Sequence, residues 1–354
     1  MILESKFSTI YISLEIKTVL KKVLKDFQKS KIFVLVDENT KKHCFPLIAD
    51  LEQIKNYELI EIKSGERNKS IRSVEQVWEI LTKKGADRTS LLINLGGGII
   101  GDLGGFAASS FKRGIEFINI PTTLLSQVDA SVGGKTGVNF LGLKNEIGLF
   151  SNPKYVLIDS SFNRTLDKKN ILSGWAEMLK HALISDEKDW DNLISYDIKQ
   201  TGFKELNKLI ARSVSIKNRF VEQDPKEKNI RKALNFGHTF GHAFESLFMN
   251  TNDEISHGEA VAHGIICELF LSHRICDFSS QKLKAVVSYL LKTFSKLNIE
   301  DTDYGKIVEL IGHDKKNENT LTNFTLLEDF GKIQINQDCS QKDIIETLNW
   351  YKTL

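Results

Sequence analysis

Two histidines four positions apart, His238 and His242 in LNFGHTFGHAFE (234–245), open the question of what chemistry this chain performs. On a helix, positions i and i+4 share one face with Cβ atoms roughly 5–6 Å apart, so both imidazoles could meet one metal ion or one substrate. Zinc proteases use this spacing as HExxH, with a glutamate directly after the first histidine as general base. Thr239 occupies that place here, which excludes the protease reading. A metal site, a capping role and a hydrogen-bonded core pair all stay open on the motif alone. Glu177 in SGWAEMLKH and His257 in SHGEA are further candidate ligands, each weighed against an exposed helical glutamate or a plain capping histidine. Spacing does not join them to the pair.

A second group of residues could handle anions. The run NLGGGIIGDLGGFAA holds Gly96-x-Gly98-x-x-Gly101, directly after a strand pattern and opening a helix, where bare backbone can approach a pyrophosphate at the positive helix end. A tight turn with close helix packing explains the same glycines. The run is not in the first βα unit and no acid stands about 20 residues on, so the ordinary dinucleotide fingerprint is incomplete. Asp37, at the end of an earlier strand pattern, could accept from a ribose hydroxyl or simply form a turn. DASVGGKTG ends like a P-loop, but Asp129 stands where its first glycine belongs and the segment follows a helix pattern, which excludes that reading. Lys135, between glycine and threonine, is either an anion contact or a solvated loop lysine. Lys144 before Asn145, Lys217, Arg231 and the pair Lys315 and Lys316 also lie beside polar or glycine positions, and each is weak evidence alone.

These residues must be positioned by two kinds of element. Up to about residue 160, the runs KIFVLVD (31–37), YELIEI (57–62), SLLINLG (90–96), IEFINIP (115–121) and YVLID (155–159) alternate with amphipathic stretches, which predicts a mainly parallel sheet covered on both faces. Beyond Asp159, ILSGWAEMLKHALI, KELNKLIARSVSIKNRFVEQ and KLKAVVSYLLKTFSKL carry apolar residues at helical spacing. The remainder reads as mostly helical, apart from a weak β-like piece near Lys332–Ile335. An α/β domain followed by a helical one predicts a cleft where ligands commonly sit. The 354 residues allow one large domain or two moderate ones, and 48 Lys plus Arg against 46 Asp plus Glu argue against a nucleic-acid or membrane partner. Four scattered cysteines without CxxC spacing argue against a disulfide framework or a cysteine zinc site and suit a reducing cytoplasm. The amino terminus lacks a signal-peptide pattern, and the most apolar stretch, 91–111, is interrupted by Asp102 and six glycines.

Taken together, GGGIIGDLGGFAA, PTTLLSQVDASVGGKTGVN, LKNEIGLF, AEMLKH, LNFGHTFGHAFE, SHGEAVAHG and DKKN, in that order, closely resemble the 3-dehydroquinate synthase family of sugar phosphate cyclases. The resemblance implies an α/β, Rossmann-like NAD-binding domain over 1–167, followed by an all-α metal- and substrate-binding domain over 168–354. It implies a metal, Zn2+ or Co2+, on Glu177, His238 and His257. Three protein ligands with open positions are the pattern of a catalytic zinc. His242 then meets substrate instead of metal, so the symmetric reading of the histidine pair is set aside. NAD contacts are implied for Asp37, Glu66, Lys69, Gly98, Asp102, Thr122, Thr123, Lys135 and Lys144. The substrate shell is implied to be Asp129, Lys135, Asn145, Lys180, Lys217, Arg231, Asn235, His242 and one of Lys315 or Lys316, with Arg113 reaching the neighbouring site of a homodimer. Two departures stand out: Asp167 where the family commonly has proline, and His181, four residues after Glu177, as a rival ligand.

The implied substrate is 3-deoxy-D-arabino-heptulosonate 7-phosphate, whose carboxylate and phosphate need several fixed cations in one place. The implied reaction oxidises carbon 5 with NAD, eliminates phosphate, returns the hydride and closes the ring by an aldol step to 3-dehydroquinate. Metal-dependent alcohol dehydrogenases of the glycerol type, cyclases acting on substrates without the carboxylate, and a noncatalytic metal-binding scaffold are the competing readings.

Overall fold

The structure is a computed structural model that describes residues 1–354 except 53–55, 142, 199–201, 250 and 313–320. Among the described residues the strands are β1 (Ile2–Glu4), β2 (Thr9–Ile12), β3 (Ile32–Asp37), β4 (Glu58–Ile62), β5 (Leu91–Gly96), β6 (Glu116–Pro121), β7 (Lys135–Phe140), β8 (Leu143–Phe150), β9 (Tyr155–Ile158), β10 (Thr322–Asp329) and β11 (Lys332–Cys339). The five β-rich runs of the sequence are β3, β4, β5, β6 and β9.

Chain contacts divide the protein into two units, the first being Met1–Gly174 with Ile198–Asn218 and the second Trp175–Asp197 with Arg219–Leu354. The first unit holds a seven-stranded sheet in the order β1-β2-β9-β6-β5-β3-β4. Only β1 runs antiparallel to its neighbour. Parallel strands need long crossovers, which place helices on both faces and bury every strand position. In β3 this is literal: Ile32, Val34 and Val36 join one apolar cluster while Phe33 and Leu35 join the other, which explains an unbroken apolar run in place of alternation.

The hairpin β7–β8 is the part of this unit that periodicity does not announce. KTGVNF reads as loop because glycine and polar residues dilute the β signal, yet it pairs antiparallel with LKNEIGLF. Nearly all of β8 is exposed, so no buried face imposes an alternation that could be read.

The second unit is helical apart from β10–β11, which includes the expected β-like piece. Its two central helices, His238–Phe248 and His257–Ile275, pack at backbone contact. A Cβ on Gly264 would overlap the carbonyl oxygen of Gly237, and one on Gly241 would stand 3.2 Å from the carbonyl oxygen of Ala260. Ser256 starts the second helix by accepting from the amide of Glu259 at 3.3 Å. The first helix departs from expectation. LNFGHTFGHAFE is not one helix: a 3-10 turn, Ile230–Asn235, takes in its first two residues, and Gly237 takes the left-handed region at φ 80 so that the α-helix begins at His238. No helix among the described residues is long and apolar enough to cross a membrane.

Candidate active site

In the second unit, Glu177 on the helix Lys168–Leu183, His238 at the start of its helix and His257 at the start of the next offer ligand atoms within 4.8 Å of one another. Both Nε2 atoms lie 3.4 Å from the same oxygen, Glu177 Oε1. The opposite ring nitrogens decide what those Nε2 atoms carry. His238 Nδ1 is 3.2 Å from the carbonyl oxygen of Phe236, which can only accept, so Nδ1 holds the proton. His257 Nδ1 is 3.3 Å from Glu245 Oε2 and donates in the same way. Two imidazole nitrogens thus converge on one oxygen of a fully buried carboxylate. Such a group requires a cation at its centre, either a proton or a metal ion. Two imidazoles and a carboxylate, with each imidazole held through its second nitrogen, are the donor set of a divalent transition metal. The residues present fit the group.

The electrostatics express the same demand. Burial opposes ionisation of Glu177, but the Lys180 ammonium and His238 hold its carboxyl well below the usual carboxylate range. Lys180 Nζ is 2.6 Å from Glu177 Oε2 and is itself buried. Burial, then Lys180, pushes His238 down, so it stays a neutral donor. Burial opposes protonation of His257 too, yet Glu177 and Glu245 push it up to about 10. His242 is exposed, its ring 5.3 Å from that of His238 and 5.9 Å from that of His257, and with Glu245 and His257 it forms a second group able to hold a metal ion. His181 is fully buried one turn beyond Glu177.

Arg231 is buried in the 3-10 turn before the first histidine. Its Nη1 donates to the carbonyl oxygen of Pro225 at 2.7 Å and its Nε lies 3.6 Å from Glu227 Oε2. Asn235, exposed, donates through Nδ2 to the other oxygen of Glu227 at 3.0 Å. One carboxylate thus spans both implied substrate residues, and Glu227 itself sits at φ 56. The loop is wound around Asp224, which accepts from the amides of Lys228, Asn229 and Arg231.

In the first unit, the glycine run behaves as its spacing suggests. β5 ends at Gly96 and the helix Gly98–Ser110 follows with Gly97 at its cap and no side-chain capping bond. Gly96, Gly97, Gly98 and Gly101 line a small hollow together with Asn119 and Ser131. Asp102, one turn into the helix, accepts from Lys69 at 2.6 Å. Lys69 is buried and also bonds Asn145 Oδ1. Burial pushes the Asp102 carboxyl up, against the pull of Lys69. Asn145 sits at φ 54 on β8, its amide donating to Asn139 Oδ1 at 2.9 Å, and Asn139 in turn donates to Glu66 Oε1 at 2.8 Å. Implied cofactor residues Glu66, Lys69 and Asp102 and implied substrate residue Asn145 thus form one network. Lys217 donates to Asp129 Oδ1 and to its carbonyl oxygen, both at 2.7 Å.

Other expected positions have local work. Asp37 caps the helix Glu38–His43 by accepting from the Thr40 amide at 2.7 Å, the turn-former role weighed for it. Thr122 is buried with its amide bonded to the Gly96 carbonyl oxygen, and Thr123 Oγ1 accepts from the Ser126 amide at 3.2 Å. Lys135, Lys144 and Arg113 are exposed. Lys315 and Lys316 lie outside the described residues. Sequence reasoning missed Glu245, Glu227 and Asn139. Glu245 had a signal, lying three residues after His242 on the same helix face; the other two are joined to the site only by folding.

Comparison with known proteins follows the same lines. Residues 59–173 match the family model described as 3-dehydroquinate synthase N-terminal, and residues 174–317 the one described as 3-dehydroquinate synthase C-terminal. A 3-dehydroquinate synthase of Parabacteroides distasonis is 50% identical over 338 residues, 96% of each chain. Among solved structures, a 2-deoxy-scyllo-inosose synthase complexed with carbaglucose-6-phosphate, NAD+ and Co2+ superposes with a TM-score of 0.88 at 24% identity over 99% of both chains. A 2-epi-5-epi-valiolone synthase from Streptomyces hygroscopicus subsp. jinggangensis, with NAD+ and Zn2+ bound, gives 0.86 at 23% identity, covering 99% of this chain and 98% of that one.

Proposed function

Because this chain belongs to the 3-dehydroquinate synthase family, we propose that it converts 3-deoxy-D-arabino-heptulosonate 7-phosphate to 3-dehydroquinate and phosphate, as a carbon–oxygen lyase using NAD+ and a divalent metal ion, zinc or cobalt. The observation that carries this reading on the chain's own atoms is the convergence of two imidazole nitrogens on the buried Glu177 carboxylate. We assign NAD+ to the α/β domain, 1–167, and metal and substrate to the helical domain, 168–354. When bound, NAD+ accepts and returns a hydride while the metal ion acidifies a substrate hydroxyl.

The protein's own contribution is charge and placement. Glu177, His238 and His257 hold the ion. Lys180 keeps Glu177 ionised, which a ligand carboxylate requires. Arg231 and Asn235 present donors to the substrate carboxylate, with Glu227 fixing both side chains before substrate arrives. Lys217, ion-paired to Asp129, and Lys135 supply positive charge for the phosphate. His242, exposed beside the ligands, is placed to move a proton. The bare backbone of Gly96–Gly101 takes the cofactor pyrophosphate, and Lys69 and Asp102 border that turn.

The same reading proposes a homodimer in which Arg113 serves the neighbouring site. Arg113 and Lys112 both sit at positive φ, 71 and 50, a costly backbone state for non-glycine residues that marks a functional turn. The β7–β8 hairpin exposes Phe140, Leu141, Leu143, Leu149 and Phe150, an apolar patch suited to a second copy. The four free cysteines, three of them buried, accord with a reducing cytoplasm.

The test is an assay of phosphate release from the heptulosonate with NAD+ at a small fraction of the substrate concentration. The expected result is phosphate and dehydroquinate in equal amounts, many times the NAD+ supplied, without NADH accumulation. NADH appearing mole for mole with product would place the chain among the dehydrogenases.

A further inference from the structure

The helix that opens with His257 carries a second buried carboxylate, Glu268, for which the reaction has no use. Glu268 is fully buried, and both its oxygens accept backbone hydrogen bonds from the other central helix. Oε2 accepts from the amide of Gly237 at 2.6 Å; Oε1 accepts from those of Thr239 at 3.0 Å and Phe240 at 3.3 Å. These amides flank His238 on both sides. The first amides of an α-helix have no partner within it, and the residue preceding the helix ordinarily supplies a capping side chain. Here that residue is Gly237, which has none to offer. Glu268, 31 residues along the chain from Gly237, provides the cap instead, and the lack of a Cβ on Gly264 lets the two helices come close enough for it to reach.

We propose that Glu268 is a positioning residue for the metal centre, clamping the backbone on either side of His238 so that its Nε2 is presented to Glu177 and His257. One helix would then fix both histidine ligands, His257 at its own first turn and His238 through the Glu268 clamp. This rests on the reading of Glu177, His238 and His257 as ligands. The clamp needs acceptors on both sides: in Glu268→Gln the side-chain NH2 faces a backbone N–H, and at least one buried donor loses its partner. A group that orients a ligand without touching the metal typically changes metal affinity by about 10- to 100-fold.

The experiment measures Zn2+ affinity by competition with a chromophoric chelator, and the visible spectrum of the Co2+ form, on the full chain. The variants are Glu268→Gln, His238→Ala, and Leu290→Ala, which opens a cavity in the helix Ser280–Thr293 as a control for general destabilisation. The expected result is a 10- to 100-fold weaker Zn2+ affinity and an altered Co2+ spectrum in Glu268→Gln, with both properties parental in Leu290→Ala. Parental affinity and spectrum in Glu268→Gln, or equal weakening in Leu290→Ala, would overturn the proposal. Should Glu268→Gln fail to fold, Glu268→Asp carries the same test, since it keeps the carboxyl group but is too short to reach all three amides; parental affinity there overturns the proposal equally. Loss of metal in His238→Ala with full retention in Glu268→Gln sinks only this inference, whereas failure of the parent protein to bind metal sinks the ligand reading beneath it.

Discussion

The candidate metal site of the second unit and the glycine turn of the first are built for binding in opposite ways. Around Glu177 the chain concentrates charged side chains in its interior, with two imidazole nitrogens facing one carboxylate oxygen. At Gly96–Gly101 it removes side chains and offers backbone at a helix start. The first arrangement acts through charge, so its affinity for a cation depends on the Glu177 carboxylate staying ionised. The second is a shaped surface whose affinity depends on what is missing. Adding or deleting one group should therefore do different damage in the two places.

The largest effect is expected at the carboxylate. Glu177→Gln keeps the volume but loses the negative charge, so it should release the metal and bring phosphate formation to background, with NAD+ binding by calorimetry unchanged. Simultaneous loss of NAD+ binding would show that the two regions are not separate in this sense. Next comes Arg231→Lys. An ammonium cannot reproduce the guanidinium fork, and one hydrogen bond to a charged group is worth about 1.5–3 kcal/mol, so kcat/KM for the heptulosonate should fall roughly ten- to a hundredfold. Metal content should stay parental, and a normal kcat/KM would remove Arg231 from the substrate shell. In the glycine region the test runs the other way, by adding an atom. A Cβ at Gly104 would overlap the Asn94 side chain on β5 and press on Leu35. Gly104→Ala should cost about 1–3 kcal/mol of stability and weaken NAD+ binding, while Zn2+ affinity holds. Parental NAD+ affinity would separate the helix packing from the cofactor turn.

The smallest effect on catalysis is expected from a histidine outside both regions. His263 is buried, with Nε2 donating to the Ser295 carbonyl oxygen at 3.1 Å and Nδ1 accepting from the Tyr351 hydroxyl at 2.9 Å. Burial pushes it down to about 4 from an ordinary 6.5. The unfolded chain therefore takes up this proton first. The stabilisation is complete above pH 6.5 and is lost progressively as pH falls through about 4. His263→Phe should flatten the stability profile across that window and leave activity near neutrality unchanged. An undiminished acid slope in the variant would assign it to other groups.

How much of this could be read from the chain also differs between the two regions. The parallel strands were legible because burial on both faces makes each an unbroken apolar run, and Gly96, Gly98 and Gly101 were legible because a turn after a strand is a local event. The β7–β8 hairpin was not, because an exposed strand needs no apolar face. Residues 198–218 belong with the first unit through long-range packing that leaves no mark on local composition. At the metal centre, i and i+4 spacing brought His238 and His242 to notice but could not divide their roles. Gly237 starts the helix at His238, and the Gly264 contact lays His257 alongside it. Resemblance to a family supplied what spacing withheld for Glu177 and His257. Glu268 and Glu227 carried no signal at all, since their partners are backbone amides and side chains that only folding brings near.

Titrating Co2+ into the parent protein, His238→Ala and His242→Ala and reading the bound equivalents tests whether the two histidines of LNFGHTFGHAFE have unequal roles around one metal ion. One equivalent is expected for the parent and for His242→Ala and none for His238→Ala. Equal loss in both variants would contradict it and restore the symmetric pair as the ligand set.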